Sequence, residues 1–389
     1  MLGVGLRIDP SGDSLMQKRR RPGLTATRPV LVAIPVRDEA EEIGPCLLAL
    51  AAQRAPHIDA VVLCLNNCRD GTADVVRAID GHLPFPVHSI EVALPNASAC
   101  AGRARRIAME HAADLAGRDG VLLTTDADAR LAPDWIATNL AALAAGADAV
   151  AGRAVIEPEG AKRIPAHLHA IDARECAYAA LLDEMRALLE PDPADPWPRH
   201  DEESGASIAV TLAAYRRAGG IPAVPLGEDR AFFNALRRID ARIRHAPDIA
   251  VIVSARLEGR AQGGMADTMR RRIERPDPFL DARLEPAADA LRRACRRRRL
   301  RETWSMPGRG VVREAARLGL APARLAELVT SEHFGSAWAA VEAASPVLRH
   351  RARVTLAALP AQTARALRIR DGLRREAGRA DTALRVAAE

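Results

Sequence analysis

Three continuous apolar runs of strand length, each ending in a polar cluster, constrain this chain more than any other feature. They are Pro29–Val36, which stops at Arg37-Asp38-Glu39; Ala60–Leu65, which stops at Asn66-Asn67-Cys68-Arg69-Asp70; and Gly120–Leu123, which runs into Asp126-Ala127-Asp128. A strand that is apolar at every position is buried on both faces, as in a parallel sheet covered by helices. Helical stretches separate the runs, one ending near Gln53 and others at Ala73–Ile79, Gly102–Leu115 and Trp135–Ala145. Further strands are expected at Val87–Val92 and Ala149–Ile156. Strands alternating with helices predict an α/β, Rossmann-like, doubly wound and mostly parallel sheet. Such sheets bind ligands at the carboxyl ends of their strands, and all three polar clusters fall on that edge.

The pattern continues with a long helix, Ala166–Leu189, and a proline-rich stretch, Pro191–Pro198, that no regular element tolerates and that is expected to form a loop near the site mouth. A short strand over Ser204–Val210 is entered through Gly205. Helix Leu212–Ala218 stops at Gly219-Gly220, and Gly227-Glu228-Asp229-Arg230 opens another with acids in its first turn. A last strand, Ile249–Val253, runs into Ser254-Ala255-Arg256-Leu257-Glu258-Gly259-Arg260. From Met265 onward the alternation gives way to Ala-, Leu- and Arg-rich sequence with helical spacing. The basic run Lys18-Arg19-Arg20-Arg21 has no apolar segment after it, so the start reads as disordered rather than as a signal peptide. The expected division is therefore a disordered segment at 1–28, a sheet domain at 29–264 and a helical C-terminal region at 265–389.

Composition narrows the function. Aromatic residues make up 3% of the 389, too few for base-stacking platforms, so nucleic acid is not the expected partner. A net charge of +6, mostly arginine, suits anionic small ligands and loose peripheral contact with an anionic membrane. The run Arg292–Arg299 is the densest basic stretch; it reads as a solvated helical face or as a contact for lipid or nucleic acid. The cysteines, Cys46, Cys64, Cys68, Cys100, Cys176 and Cys295, form no zinc pattern and read as reduced residues of a cytoplasmic protein. No apolar run reaches the roughly 18 residues of a membrane span. His57 and His111 read as surface or partly packed side chains, whereas His200 and Trp197 sit where they could touch an acceptor.

Asp126 and Asp128, one residue apart at a strand end, suit a divalent metal that also takes phosphate oxygens. Taken with four other segments in order, they resemble the family 2 glycosyltransferases of GT-A fold over about residues 30–264. The segments are Ile34-Pro35-Val36-Arg37-Asp38-Glu39, Asn66–Thr72, Gly102–Arg106, Asp126-Ala127-Asp128 and Gly227–Arg230.

The resemblance implies a hexosyltransferase-like enzyme that moves a sugar from a nucleoside-diphosphate sugar to an acceptor hydroxyl. It would be metal-dependent, with Mn²⁺ or Mg²⁺, and inverting. Pro35, Arg37, Asp38 and Glu39 would line the donor nucleotide. Asn66 would read the base edge, where the family usually has aspartate. Asp70 would stabilise its turn or touch the ribose, and Arg105 would meet the diphosphate. Asp126 would lie near ribose and metal, Asp128 would bind the metal, and Asp229 would be the general base with Glu228 its neighbour. The third metal ligand common in the family, a histidine after the last strand, is replaced by Ser254-Ala255-Arg256, leaving Glu258 or water to substitute. Arg256, Arg260 and Gly263-Gly264 resemble a bacterial subgroup and read as a diphosphate or acceptor clamp or as surface ion pairs. Two rivals are a nucleotidyltransferase that makes a nucleotide sugar and a non-catalytic module that binds through the Arg-rich tail. The first normally has a glycine-rich phosphate loop where this chain has Arg37-Asp38-Glu39.

Overall fold

A computed structural model describes residues 28–54, 56–95, 100–256, 264–275, 277–306 and 310–388, with side chains of the last helix to Arg379. The N-terminal expectation for residues 1–27 lies outside the described residues, as do Glu258, Arg260 and Gly263. The elements in chain order are β1 (Val30–Val36), α1 (Ile43–Ala51), β2 (Ala60–Asn66), α2 (Thr72–Asp80), β3 (Val87–Val92), α3 (Ala101–Ala116), β4 (Val121–Thr124), β5 (Arg130–Leu131), α4 (Trp135–Ala144) and β6 (Ala149–Ile156). There follow α5 (Pro158–Ala161), α6 (Ala166–Leu189), β7 (Ile208–Thr211), α7 (Leu212–Arg217), α8 (Glu228–Arg238) and β8 (Ile243–Val253). The remainder is helical: α9 (Met265–Glu274), α10 (Ala287–Ser305), α11 (Val311–Leu318), α12 (Pro322–Leu328), α13 (Phe334–Ala344) and α14 (Leu359–Ala388). No helix among the described residues is long and apolar enough to cross a membrane.

The strands form one sheet in the order β3-β2-β1-β4-β7-β6-β8-β5. Its first half is parallel, with Ile34 opposite Leu63 and Leu31 opposite Leu122. β1, β2 and β4 are buried at every position, which is why they read as unbroken apolar runs. β3, at the edge, is half-buried. Beyond β4 the pairing turns antiparallel, β4 with β7, β7 with β6 and β5 with β8. This is the α/β, doubly wound sheet expected from the sequence, with a mixed second half and a helical C-terminal region.

Two compact units divide the chain. The first holds the sheet domain: residues up to Glu157, Glu202–Ala235 and Ala246–Asp267. Its core joins Val32, Ile34, Leu63 and Leu123 to Trp135, Ala209 and Val251. The Trp135 indole is buried and donates to Ser207 Oγ at 2.9 Å, so that its one polar atom is satisfied. The second unit comprises Pro158–Asp201, Leu236–His245 and Thr268–Glu389. There α6 buries Tyr178, Leu182 and Met185 against Leu284, Ala287, Leu359 and Ala366. A second cluster gathers Leu300, Ala315, Leu318, Phe334 and Val341. The 158–201 stretch thus packs with the C-terminal helices rather than with the strands that precede it in sequence.

Candidate functional site

The carboxyl ends of β1, β2 and β4 meet as the strand pattern requires. After β1, Asp38 turns the chain with a left-handed φ of 52°, a conformation aspartate tolerates better than most residues. Its Oδ1 accepts from the Arg69 amide at 2.6 Å, and the Glu39 amide donates to Thr72 Oγ1 at 2.8 Å. Asp70 accepts from the Ala40 amide at 3.0 Å and from the Thr72 amide and hydroxyl. Asp70 thus links the β1 and β2 loops. Pro35 is buried within β1, and Arg37 is half-buried at its end. Asn66 closes β2 with its side chain buried; its Oδ1 has no hydrogen-bond partner among the described residues. An orphan buried acceptor is costly unless a ligand donor reaches it.

Arg105 holds the centre together. Its Nη2 donates to Asp126 Oδ1 at 2.6 Å and its Nε to Glu228 Oε1 at 3.2 Å. Its Nη1 donates to Thr124 Oγ1 and to the Gly205 carbonyl, both at 2.8 Å. The side chain is 3% exposed, on the inner face of α3 with Gly102, Met109 and Ala112. Burial works against its charge, but Asp126 and Glu228 outweigh this and hold the guanidinium firmly protonated. Its Nε, Nη1 and Nη2 thus all donate to protein acceptors. Two glycines make room for Arg105 and for its partner Glu228. A Cβ on Gly205 would stand 2.5 Å from Arg105 Nη2, and one on Gly102 would stand 2.8 Å from the Glu228 Cβ.

The two aspartates after β4 are held differently. Asp126 faces Arg105, while Asp128 faces Arg256 at 3.3 Å. Burial and the neighbouring Asp126 push the Asp128 carboxyl up to about 6, even with Arg256 opposing. Arg256 also grips Glu39 with both prongs of its guanidinium, at 2.9 and 2.6 Å. It gets there because two-residue β5 pairs antiparallel with β8, Leu131 opposite Val251, and so lays the end of β8 beside the Asp126–Asp128 turn. Neither β5 nor this role of Arg256 is legible in the sequence. A two-residue strand shows no periodicity, and Glu39 lies 217 positions from Arg256.

Asp229 sits in the first turn of α8. Its Oδ2 accepts from the Gly205 amide at 3.1 Å and its Oδ1 from the Arg230 amide at 2.7 Å. Burial and the adjacent Glu228 raise its carboxyl above the ordinary value, outweighing the amides and Arg105 that pull it down. A helix N-terminus favours the ionised form; at Asp229 the balance runs the other way. Trp197 and His200 belong to the second unit, where the His200 ring stands edge-on to His245 at 5.8 Å.

A divalent cation suits the donor set of Asp126 and Asp128. These are two hard oxygen ligands forced close enough to repel, and a cation relieves that repulsion. Among the described residues no group of three His, Cys, Asp or Glu side chains could hold a metal by itself. A two-carboxylate site is one that substrate phosphate oxygens complete.

Residues 31–197 match the profile described as glycosyl transferase family 2. No curated protein matches the chain. Among solved structures, similar ones include a Pyrobaculum calidifontis mannosyltransferase in complex with GDP-Man and Mn²⁺, 18% identical, covering 81% of this chain and 86% of its own, with a TM-score of 0.41. Another is S. aureus TarS 1-349 in complex with UDP-GlcNAc, at 17% identity, covering 90% and 92%, TM-score 0.44. A third is glucosyl-3-phosphoglycerate synthase from Mycobacterium tuberculosis with phosphoglyceric acid, at 15% identity, covering 66% and 83%, TM-score 0.37. On this match the chain carries a glycosyltransferase family 2 domain at residues 31–197.

Proposed function

We propose that the enzyme transfers a sugar from a nucleoside-diphosphate sugar to an acceptor hydroxyl, with a divalent metal and with inversion at the anomeric carbon. One observation carries this reading: Asp126, Glu228 and, through Gly205, Asp229 converge on the single buried guanidinium of Arg105. That ties Asp126, one of the two candidate metal ligands, to the candidate base in one hydrogen-bonded frame. Asp128 and Asp126 would hold the metal, which when bound neutralises the charge gathering on the leaving diphosphate. The orphan Asn66 Oδ1 offers an acceptor to a base that presents an N–H. Glu39, Asp38 and Arg37 border the same edge and line the donor nucleotide. Asp229 takes the acceptor proton, and a carboxylate raised by burial is a stronger base than a free one. Arg105 sets the carboxylates in place instead of contacting the diphosphate.

The test begins with donor hydrolysis over a panel of nucleotide sugars and calorimetry of UDP and GDP with and without Mn²⁺. Asp128→Ala is expected to abolish metal-dependent nucleotide affinity. Asp229→Asn is expected to keep it and to lose about 10²–10⁴-fold in turnover, the usual worth of a general base. Asparagine retains an oxygen for one of the two amides that Asp229 accepts, so folding is preserved. Near-normal turnover in Asp229→Asn would reject it as the base and shift attention to Glu228.

A further inference from the structure

We infer that Arg256 is the resident counter-ion of the Glu39–Asp128 pair and that a divalent cation must displace it to bind. The inference rests on the metal reading above and concerns how the metal enters. The geometry is specific. Arg256 Nη1 and Nη2 reach both oxygens of Glu39 at 2.9 and 2.6 Å, and Nη2 also stands 3.3 Å from Asp128 Oδ2. One prong is thus shared between two carboxylates. The Glu39 side chain is 6% exposed, that of Asp128 13% and that of Arg256 29%, so the arginine is the most exposed of the three and lies on their solvent side. It comes from the end of β8, and β5 pairing with β8 fixes its approach.

A guanidinium and a divalent cation compete for the same Asp128 oxygen. In a partly buried pocket, the charge of Arg256 within a few ångströms of the incoming cation opposes it strongly. Metal alone therefore binds weakly to the protein. A donor diphosphate changes the balance, because it brings oxygens that coordinate the metal and acceptors that a displaced guanidinium can grip instead. The geometry makes Arg256 a positioning residue that couples metal uptake to donor arrival.

The experiment is a titration of the full-length protein with Mn²⁺ alone, free Mn²⁺ being read by electron paramagnetic resonance. Arg256→Gln is expected to bind Mn²⁺ at least about tenfold more tightly than wild type. Arg256→Lys keeps the charge but gives up the two-pronged hold, and is expected to fall between them. Adding Asp128→Asn to Arg256→Gln is expected to erase the gain. Equal or weaker Mn²⁺ affinity in Arg256→Gln overturns the inference, since Arg256 then serves to hold the ligands in place. If Arg256→Gln does not fold by circular dichroism, Arg256→Lys decides by the same criterion. Should Asp128→Asn leave the Mn²⁺ affinity of wild type and Arg256→Gln unchanged, the metal reading itself fails. If instead Asp128 matters in wild type while Arg256→Gln binds no more tightly, only the present inference fails.

Discussion

Replacing Arg105 by methionine keeps most of its volume and removes its charge and all its donors. The structure sets the cost. Glu228, with a side chain 12% exposed, is left as a buried carboxylate facing no guanidinium at that point, and Thr124 Oγ1 and the Gly205 carbonyl lose a donor as well. Asp126, at 35% side-chain exposure, can turn to water, so its share is screened. Removing one partner of a buried ion pair typically costs about 3–5 kcal/mol. For a domain of this size each kcal/mol moves Tm by about 2–4 °C, which makes the expected drop about 6–20 °C. Urea denaturation followed by tryptophan fluorescence, alongside thermal melts by circular dichroism, gives the measurement. Arg105→Lys should fall between, because a single ammonium cannot serve Asp126, Glu228, Thr124 and Gly205 together. A loss below about 1 kcal/mol, the range of an exposed surface pair, would refute the claim that Arg105 frames the site.

Gly205→Ala should destabilise more than Gly102→Ala, by about 1–3 kcal/mol for an overpacked contact, because its Cβ would meet the fixed Arg105 guanidinium at 2.5 Å rather than the Glu228 side chain at 2.8 Å; paired thermal melts check the order. In the second unit, Asp195 accepts from the His245 amide at 2.9 Å and bonds its ring Nδ1 at 2.8 Å. Burial alone would raise this carboxyl, but His245 and Arg199 hold it below the ordinary value near 3.8. Its contribution to stability is therefore complete above that value and is lost as pH falls through the folded pKa. Asp195→Asn should lower Tm at pH 7, and the gap should close on acidification below about pH 4; a gap independent of pH would contradict this.

The strands, most helices and the acidic clusters were legible because each is written locally. β1, β2 and β4 are apolar at every position, and α7 stops at Gly219-Gly220, where both glycines have positive φ. What the sequence hid depends on distance along the chain. The resemblance implies a diphosphate contact for Arg105; its side chain is also buried, since Gly102, Arg105, Met109, Ala112 and Ala116 recur at helical spacing on the buried face of α3. That spacing was the available signal, and it marks Arg105 as an interior residue. α6 looks like one more helix after a strand, but its partners lie at Leu280–Ala290 and Val354–Ala366. No local pattern assigns it to the second unit. Arg256 was visible as an arginine after a strand; its pairing with Glu39 depends on β5, whose two residues leave no periodic trace.

Charge balance links these findings. The chain carries +6 overall, yet its candidate site is acidic. Glu39, Asp126, Asp128, Glu228 and Asp229 supply five negative charges when ionised, and Arg105 and Arg256 return two, leaving this set at −3. A nucleoside diphosphate brings further negative charge to that edge. Its approach requires that cations be added or carboxylates be discharged. The Asp128 carboxyl, pushed up to about 6, discharges on mild acidification, but near neutral pH it is largely ionised. A divalent cation arriving with the diphosphate supplies the missing charge without protonating the base. This imbalance is the physical case for metal and donor entering together.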